Sequence, residues 1–201
     1  MKRTFDLVVA SVGLVLLSPI WLASALCIKL DDGGPVLYGG WRVGRFGVPF
    51  RMLKFRTMVA DAESLGGTST AADDPRITRV GAVLRRYKVD ELPQLLNVLC
   101  GQMSLVGPRP QVQWAVERYS VDDRIALSVR PGITDLASIQ FADEAEILRG
   151  AADPDQTYMQ LIHPEKMRLA REYVAGHSFW LDLRILARTA AAVLPTLGDR
   201  P

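Results

Sequence analysis

Between Asp6 and Lys29 the chain carries no charged residue, and Pro19 stands in the middle of that stretch. A straight helix over the 22 residues 7–28 would just span a bilayer core of about 30 Å. Pro19 argues against it, because proline removes a backbone hydrogen bond and its ring clashes with the preceding turn. The halves, residues 7–17 and 20–28, are then each roughly 14–17 Å long and too short to cross. Lys2 and Arg3 precede the stretch, while Arg42, Arg45, Arg51, Lys54 and Arg56 follow it. With positive charge on both sides, the positive-inside tendency is best met if both ends stay cytoplasmic. The pattern therefore favours a bent, re-entrant helix over a spanning one, with the bend at Ser18 and Pro19 and Trp21 near its shallow apex. The Ser18 hydroxyl can bond a carbonyl of the preceding turn and help to hold the bend. A secretory signal is the rival reading, since basic residues lead the apolar run and Ala23, Ser24 and Ala25 resemble a cleavage site. It would make an exported phosphotransferase released after Ala25. Against it stand Asp6, the Pro19 interruption and a remainder without the cysteine pattern of exported domains. A lipoprotein signal is weaker again, because Leu26 rather than a small residue precedes Cys27.

The 201 residues are enough for one domain with a sizeable core. A net charge of +2 is too small to imply nucleic acid, so where the charges cluster matters more than their sum, and no nucleic-acid partner is expected. Cys27 and Cys100 have neither metal-ligand spacing nor the number for a disulfide framework, and are expected reduced and buried. His163 and His177 are the only histidines, which disfavours a histidine triad or a zinc site.

Residues 90–110, DELPQLLNVLCGQMSLVGPRP, organise the rest. Leu92, Leu95, Leu96 and Leu99 recur at helical spacing, Pro93 is tolerable only in a first turn, and Gly101 is a plausible stop. That puts Asp90 at or next to the N-cap and Glu91 in the first turn, where free N–H groups and the dipole favour negative charge. On the plain reading Asp90 caps and Glu91 tunes the dipole. On the functional reading the two carboxylates sit in a cationic field, because Arg76, Arg79, Arg85, Arg86 and Lys88 precede them with no acidic residue over 75–89. Such an arrangement suits phosphate chemistry. Taken alone, the stretch leaves both readings open.

The segment 33–58 reads as two short strands around a glycine-rich turn. Lys54 and Arg56 are two apart and project to one face of a strand. They fit either a solvated edge strand or, given Phe50, Met52, Leu53 and Phe55 between and before them, a partly buried element where unpaired cations are costly. Residues 60–74 form a polar loop, flexible at Gly66 and Gly67, over a site or as a surface excursion. Asp73, Asp74 and Pro75 open the next helix. Residues 111–128 read as a helix with a charged solvent face, and 155–176 as a structural helix. Residues 179–194, with Trp180, Arg184 and Arg188, form a largely apolar helix suited equally to a membrane interface or to the core.

The motifs KRTFD, Ser18-Pro19, KFRTM, DPRITRVG, LRR followed by DELPQLLNVL, MSLVGPRP and RPGIT occur in one order between residues 2 and 194. In this the chain resembles the bacterial sugar transferase family, monotopic phosphoglycosyl transferases, in a small form without an added regulatory domain. The resemblance implies transfer of a phosphosugar from a UDP-sugar to undecaprenyl phosphate, with release of UMP and a requirement for Mg2+, to initiate membrane-bound glycan assembly. It implies Asp90 as nucleophile through a covalent aspartyl-phosphosugar, Glu91 as its magnesium-associated partner, Arg85 at phosphate, and Pro108, Arg109 and Pro110 near the uridine. Lys54, Arg56 and Arg76 complete the expected substrate-binding set, and Asp90 shares the metal with Glu91. A carboxylate nucleophile splits the exchange into two displacements, with cations and metal offsetting the repulsion between anions. Without them the adjacent carboxylates would raise each other's pKa. Pro108 and Pro110 fix the backbone around Arg109, or form no more than a rigid turn. RPGITDLASIQF departs from the commoner family wording at Asp135, Asp143, Glu144 and Glu146, which leaves the sugar open.

The expected fold is a small helix-rich α/β (α+β) domain with an N-terminal re-entrant membrane helix, a short β-hairpin and interfacial amphipathic helices. Residues 1–30 would be the membrane helix and 31–201 the catalytic domain, at the cytoplasmic face of the bacterial inner membrane. Membrane lipid is an expected partner, and downstream glycosyltransferases and a homodimer remain open. A non-enzymatic scaffold of a glycan-assembly complex is the alternative function, which the intact DE, KFR and PRP motifs oppose.

Overall fold

The computed structural model of the chain describes residues 1–193. Residue 194, the expected end of the last helix, lies outside the described residues, as does the tail 195–201. Two fifteen-residue helices open the chain, α1 (Lys2–Leu16) and α2 (Ser18–Asp32), bent by 60° at Leu17. Pro19 falls in the first turn of α2, where its missing N–H would have had no partner anyway, so α2 starts afresh. Ser18 Oγ donates to Val15 O at 2.8 Å, the bond expected at the bend. Both arms exceed the expected halves, at roughly 22 Å each, because α1 begins at Lys2 and α2 runs on through Lys29 to Asp32. Among the described residues no single helix is long and apolar enough to cross a membrane.

A hairpin follows as the sequence indicated, β1 (Leu37–Val43) against β2 (Pro49–Phe55), with Leu37 opposite Phe55 and Val43 opposite Pro49. Helix α3 (Arg79–Arg86) starts later than the Asp73-Asp74-Pro75 signal indicated, because Thr78 is the residue whose side chain accepts from Gly81 N and caps it. A 3-10 turn (Val89–Glu91) and helix α4 (Gln94–Leu99) come next, then β3 (Ser104–Val106). The stretch 111–128 is not one helix. It contains α5 (Gln113–Val116) and a 3-10 segment (Asp123–Ser128), where Asp123 closes on Ser120 instead of continuing a helix. Strand β4 (Gly132–Thr134) pairs parallel with β3 and leads into α6 (Leu136–Gln140), α7 (Glu144–Ile147), α8 (Pro154–Thr157), α9 (His163–Ala175) and α10 (Phe179–Val193).

The main core gathers Ala10 of α1, Phe50 and Met52 of β2, Leu95 and Val98 of α4, Leu105 and Val106 of β3, Tyr173 of α9 and Ile185 of α10. Thus the first apolar helix is built into the domain as well as projecting from it. Asp6, a charge in the middle of its inner face, is 2 % exposed and accepts from Ser104 Oγ at 2.8 Å and Leu105 N at 3.3 Å. Asp182 of α10 is as deeply buried and takes Lys2 Nζ at 2.6 Å and Tyr173 Oη at 2.7 Å. Two buried carboxylates, each fully engaged, therefore tie α1 and α10 to β3 and its neighbours, as burial of charge demands. On α2, Trp21, Ser24 and Ile28 turn inward, and Trp21 meets the Phe55 ring edge-on at 4.9 Å. The outward faces stay apolar, with Val15, Leu16, Leu22 and Leu30 exposed at 72, 71, 73 and 76 %. An apolar surface of this kind marks an interaction surface rather than a water-facing one. Cys27 and Cys100 are free, as expected, but exposed, since one faces out from α2 and the other ends α4.

Strands β3 and β4 approach so closely that a Cβ on Gly132 would lie 2.1 Å from Gly107 N, and one on Gly107 would lie 2.3 Å from Arg130 O. Overpacking of this order costs about 1–3 kcal/mol. Gly132→Ala should therefore lower the melting temperature by several degrees, at roughly 2–4 °C per kcal/mol for a chain of this size. Thermal unfolding followed by circular dichroism reads this directly. An unchanged Tm would mean the two strands have room to part.

Candidate active site

The dyad turn owes its shape to Lys88, a non-glycine residue at φ 55°, which reverses the chain between α3 and the 3-10 turn. Asp90 is neither at nor next to the N-cap, where the sequence pattern put it. Pro93 occupies the N-cap of α4, and Asp90 lies one turn earlier without capping contacts, while Gly101 at φ 80° ends the helix region as expected. Asn97 of α4 pins the hairpin beside this turn: its Oδ1 accepts from Leu53 N at 2.9 Å and its Nδ2 donates to Arg51 O at 2.8 Å. This sets the register that brings Lys54 to the dyad.

Lys54 Nζ donates to Glu91 Oε1 at 2.9 Å and lies 3.6 Å from Asp90 Oδ2. Arg109 grips Glu91 with both terminal nitrogens, Nη2 to Oε1 and Nη1 to Oε2, the latter at 3.3 Å. Arg109 is held in place by its own N–H, which donates to Asp135 Oδ2 at 3.0 Å, and by Nη1, which also reaches Ile133 O at 3.3 Å. Asp135 in turn caps α6 through Ser138 N at 2.6 Å. This departure from the family wording therefore orients Arg109 from behind. Glu144 pairs with Lys166 and adds a negative field at Arg109.

The adjacent carboxylates are pushed in opposite directions. Asp90 is 4 % exposed, and burial raises its pKa, reinforced by Glu91 and opposed by the fields of Lys54, Arg85 and Arg109. Burial also opposes ionisation of Glu91, but the fields and hydrogen bonds of Arg109 and Lys54 outweigh it and hold this carboxyl far below the usual range. Asp90 Oδ1 is buried without a hydrogen-bond partner, as are both polar atoms of Gln94, four residues on. Orphaned polar atoms at this one turn mark a place for a ligand. Arg85 is half-buried and faces Asp90 electrostatically without a carboxylate bound to it, and its own pKa is lowered by burial.

Of the seven expected substrate-binding residues, Lys54 and Arg109 touch the dyad, Arg85 lies in its field, and Pro108 and Pro110 flank Arg109. The structure does not bring Arg56 or Arg76 there. Arg56 follows β2 and spends its donors on Asp32, on Pro35 O at 2.6 Å and on Met58 O at 3.0 Å. Arg76 binds Asp74 at 2.7 Å and closes over the 60–74 loop through Gly66 O and Gly67 O at its flexible point. That loop is held at its other side by Asp155, which accepts from Thr68 and Ser69. The unexpected members are Gln94 and Arg42. Arg42 lies on the hairpin face shared by Tyr38 and Lys54, half-buried, in the electrostatic reach of Arg109, Tyr38 and Tyr158. Period-two alternation from Lys54 across the hairpin is the signal that could have found it.

A divalent cation fits this donor set in part. Among the described residues no group of three or more acidic, histidine or cysteine side chains converges. Asp90 Oδ1 is available, whereas both Glu91 oxygens are taken by Arg109 and Lys54. Magnesium commonly binds through one or two carboxylates with substrate phosphates and water completing the shell.

Residues 1–196 match the model of a family described as bacterial sugar transferase. A UDP-N-acetylgalactosamine-undecaprenyl-phosphate N-acetylgalactosaminephosphotransferase of Aeromonas hydrophila is 37 % identical over 99 % of this chain and 45 % of its own length. The exopolysaccharide production protein ExoY of Rhizobium meliloti is 36 % identical over 98 % of this chain and 87 % of its own. A UDP-glucose:undecaprenyl-phosphate glucose-1-phosphate transferase of Caulobacter vibrioides is 38 % identical over 97 and 70 %, respectively. The chain thus spans under half of the Aeromonas protein but most of ExoY.

Opposite shifts on neighbours give opposite pH signatures. A folded pKa raised above the ordinary 3.8 means that ionised Asp90 weakens the fold at pH values above that folded pKa. Asp90→Asn should then melt higher than the parent at neutral pH, with the gap closing as pH falls towards 3.8. A folded pKa depressed below 4.5 means Glu91 contributes stability above that value, lost as pH falls through the folded pKa. Glu91→Gln should melt lower at neutral pH, with its gap closing on acidification. Melting curves across pH decide, and shifts of the same sign for both variants would refute the assignment.

Proposed function

The chain belongs to the bacterial sugar transferase family, and from that membership we propose that it transfers a phosphosugar from a UDP-sugar to undecaprenyl phosphate with release of UMP. The observation that carries the reading is Asp90 Oδ1, a buried carboxylate oxygen without a partner, next to a Glu91 locked by Lys54 and Arg109. The free oxygen is the nucleophile, and the locked neighbour keeps the cations in register.

In the first displacement Asp90 Oδ1 attacks the phosphorus attached to the sugar. The bond to the bridging oxygen breaks, and UMP leaves with that oxygen and its electron pair. In the second, a phosphate oxygen of undecaprenyl phosphate attacks the same phosphorus and Asp90 leaves as a carboxylate, giving the lipid diphosphosugar. Lys54 and Arg85 flank Asp90 and oppose its burial, favouring the ionised form that attack requires. Arg109, with its backbone held by Asp135 and its planar fork by Ile133 O and Glu91, is placed to meet the departing nucleotide phosphate. Magnesium held by Asp90, with donor phosphate oxygens and water, would supply charge neutralisation, and Glu91 would join it only by releasing one of the oxygens that Arg109 and Lys54 hold.

We further propose that α1 and α2 enter the cytoplasmic leaflet of the inner membrane as a re-entrant pair. The exposed apolar faces, the 60° bend and positive charge beyond both ends support this. The lipid acceptor would then arrive from the same interface, and a soluble UDP-sugar from the water side. Release of UMP, over a panel of UDP-sugars with undecaprenyl phosphate and Mg2+, tests the activity and separates an enzyme from a scaffold.

Asp90→Asn should abolish the phosphosugar adduct formed with donor alone and cut turnover by roughly 10⁴-fold or more. An adduct surviving in this variant would remove Asp90 as nucleophile. For the topology, single cysteines Thr4→Cys and Asp31→Cys, each in a background with Cys27 and Cys100 replaced by serine, should label from the same side of the membrane. Labelling from opposite sides would overturn the re-entrant pair.

A further inference from the structure

Away from the dyad, a cavity of about 210 Å³ opens at the root of α1, between the N-terminus of that helix, the hairpin tip and the segment leading into β4. Four cations line it, Lys2, Arg3, Arg45 and Arg130, contributed by three distant parts of the chain. Asp6 is the one carboxylate in the lining among the described residues, and it is already spent on Ser104 and Leu105. Lys2 is matched by Asp182. An excess of two positive charges therefore remains within one concave surface.

The arginines are poorly served by the protein itself. Arg130 Nε donates to Gly101 O at 2.9 Å, and Arg45 Nε to Ser128 O at 2.9 Å, so each spends one of its five donors on a backbone carbonyl. Arg3 has only Leu99 O at 3.3 Å and Met103 O at 3.5 Å. Arg3 and Arg130 both approach Gly101: Arg130 binds its carbonyl, and a Cβ on that glycine would lie 3.5 Å from Arg3 Nη2. Like charges gathered around a cavity with idle guanidinium donors make a concave positive field suited to an anion. The forks of Arg45 and Arg130 have the shape that binds phosphate oxygens in pairs.

We propose that this cavity is a second anion site that binds a phosphate group, separate from the donor and acceptor chemistry at Asp90. It shares no residue with the dyad or its cations. The shared chemistry is a phosphate mono- or diester, and two sources can supply it: the headgroup of an anionic phospholipid or a soluble phosphate. The cavity adjoins the first turn of the helix whose outer face is apolar, which is where a headgroup would lie if that face meets lipid.

The test uses the full chain. In one arm it is reconstituted in nanodiscs of mixed phosphatidylcholine and phosphatidylglycerol, and native mass spectrometry counts the lipids retained. In the other, detergent-solubilised protein is titrated with inorganic phosphate by calorimetry. The parent is compared with Arg45→Gln/Arg130→Gln and with Asp90→Asn, which should bind like the parent because the site lies apart from the dyad. Selective retention of phosphatidylglycerol, reduced about tenfold in the double variant, upholds the site and names a headgroup as its ligand. Phosphate binding lost in the double variant without any lipid selectivity upholds the site and names a soluble anion. Absence of both in the parent, or equal binding by parent and double variant, overturns it. Should the double variant lack a melting transition, Arg45→Gln alone carries the test, since Arg45 is exposed and makes one hydrogen bond, to Ser128 O, besides lying over the exposed Phe46 ring. That variant should weaken the same binding, and parent-like binding in it would overturn the site.

Discussion

Everything around the dyad depends on one ionised carboxylate being gripped from two sides. Glu91 draws Lys54 from the hairpin and Arg109 from the loop after β3, joining three segments that are otherwise far apart in sequence. An ion group this shielded is not a strong source of stability, because desolvation offsets much of the attraction. Its value lies in geometry. With Glu91 satisfied, Lys54 and Arg109 are held in fixed positions beside Asp90, and Asp90 is left as the carboxylate with an idle oxygen. Two chemically similar neighbours thus titrate in opposite directions because their surroundings push them apart, a pattern recurrent in paired carboxylate sites.

A second layer holds the grip itself. Asn97 fixes the hairpin strand beside the dyad turn, Asp135 fixes the backbone at Arg109, and Asp6 fixes the strand that leads into it. Asp6 and Asp182 have a further consequence. Helix α1 has an exposed apolar face and also carries a buried carboxylate into the core, so it is bound to β3 and α10 by polar bonds as well as packing. A displacement of α1 would be felt at β3, two residues before the Gly107 to Arg109 turn. The basic cavity at the base of α1 lies on this same path, with Ser104 in its wall.

The bend at Ser18 and Pro19, the hairpin, the stop at Gly101 and the adjacency of Asp90 and Glu91 beside a basic run are all legible in the residues alone. These follow from local chemistry: a missing N–H, alternation of side chains, a glycine at positive φ, and adjacent carboxylates after a basic run. Which cations reach the dyad is set by packing between distant segments. Lys54 and Arg56 are equivalent in spacing, yet Asp32 at the end of α2 captures Arg56 while Glu91 captures Lys54. Arg76 is likewise taken by Asp74, and Arg42, on a strand the local pattern did indicate, comes within the electrostatic reach of Arg109 only once the hairpin is folded. The length of helix around 111–128 and the true start of α3 were settled by side-chain caps competing with propensity. Which partner a long charged side chain finds depends on carboxylates brought near by packing, and packing is a property of the whole chain that no short stretch of residues contains.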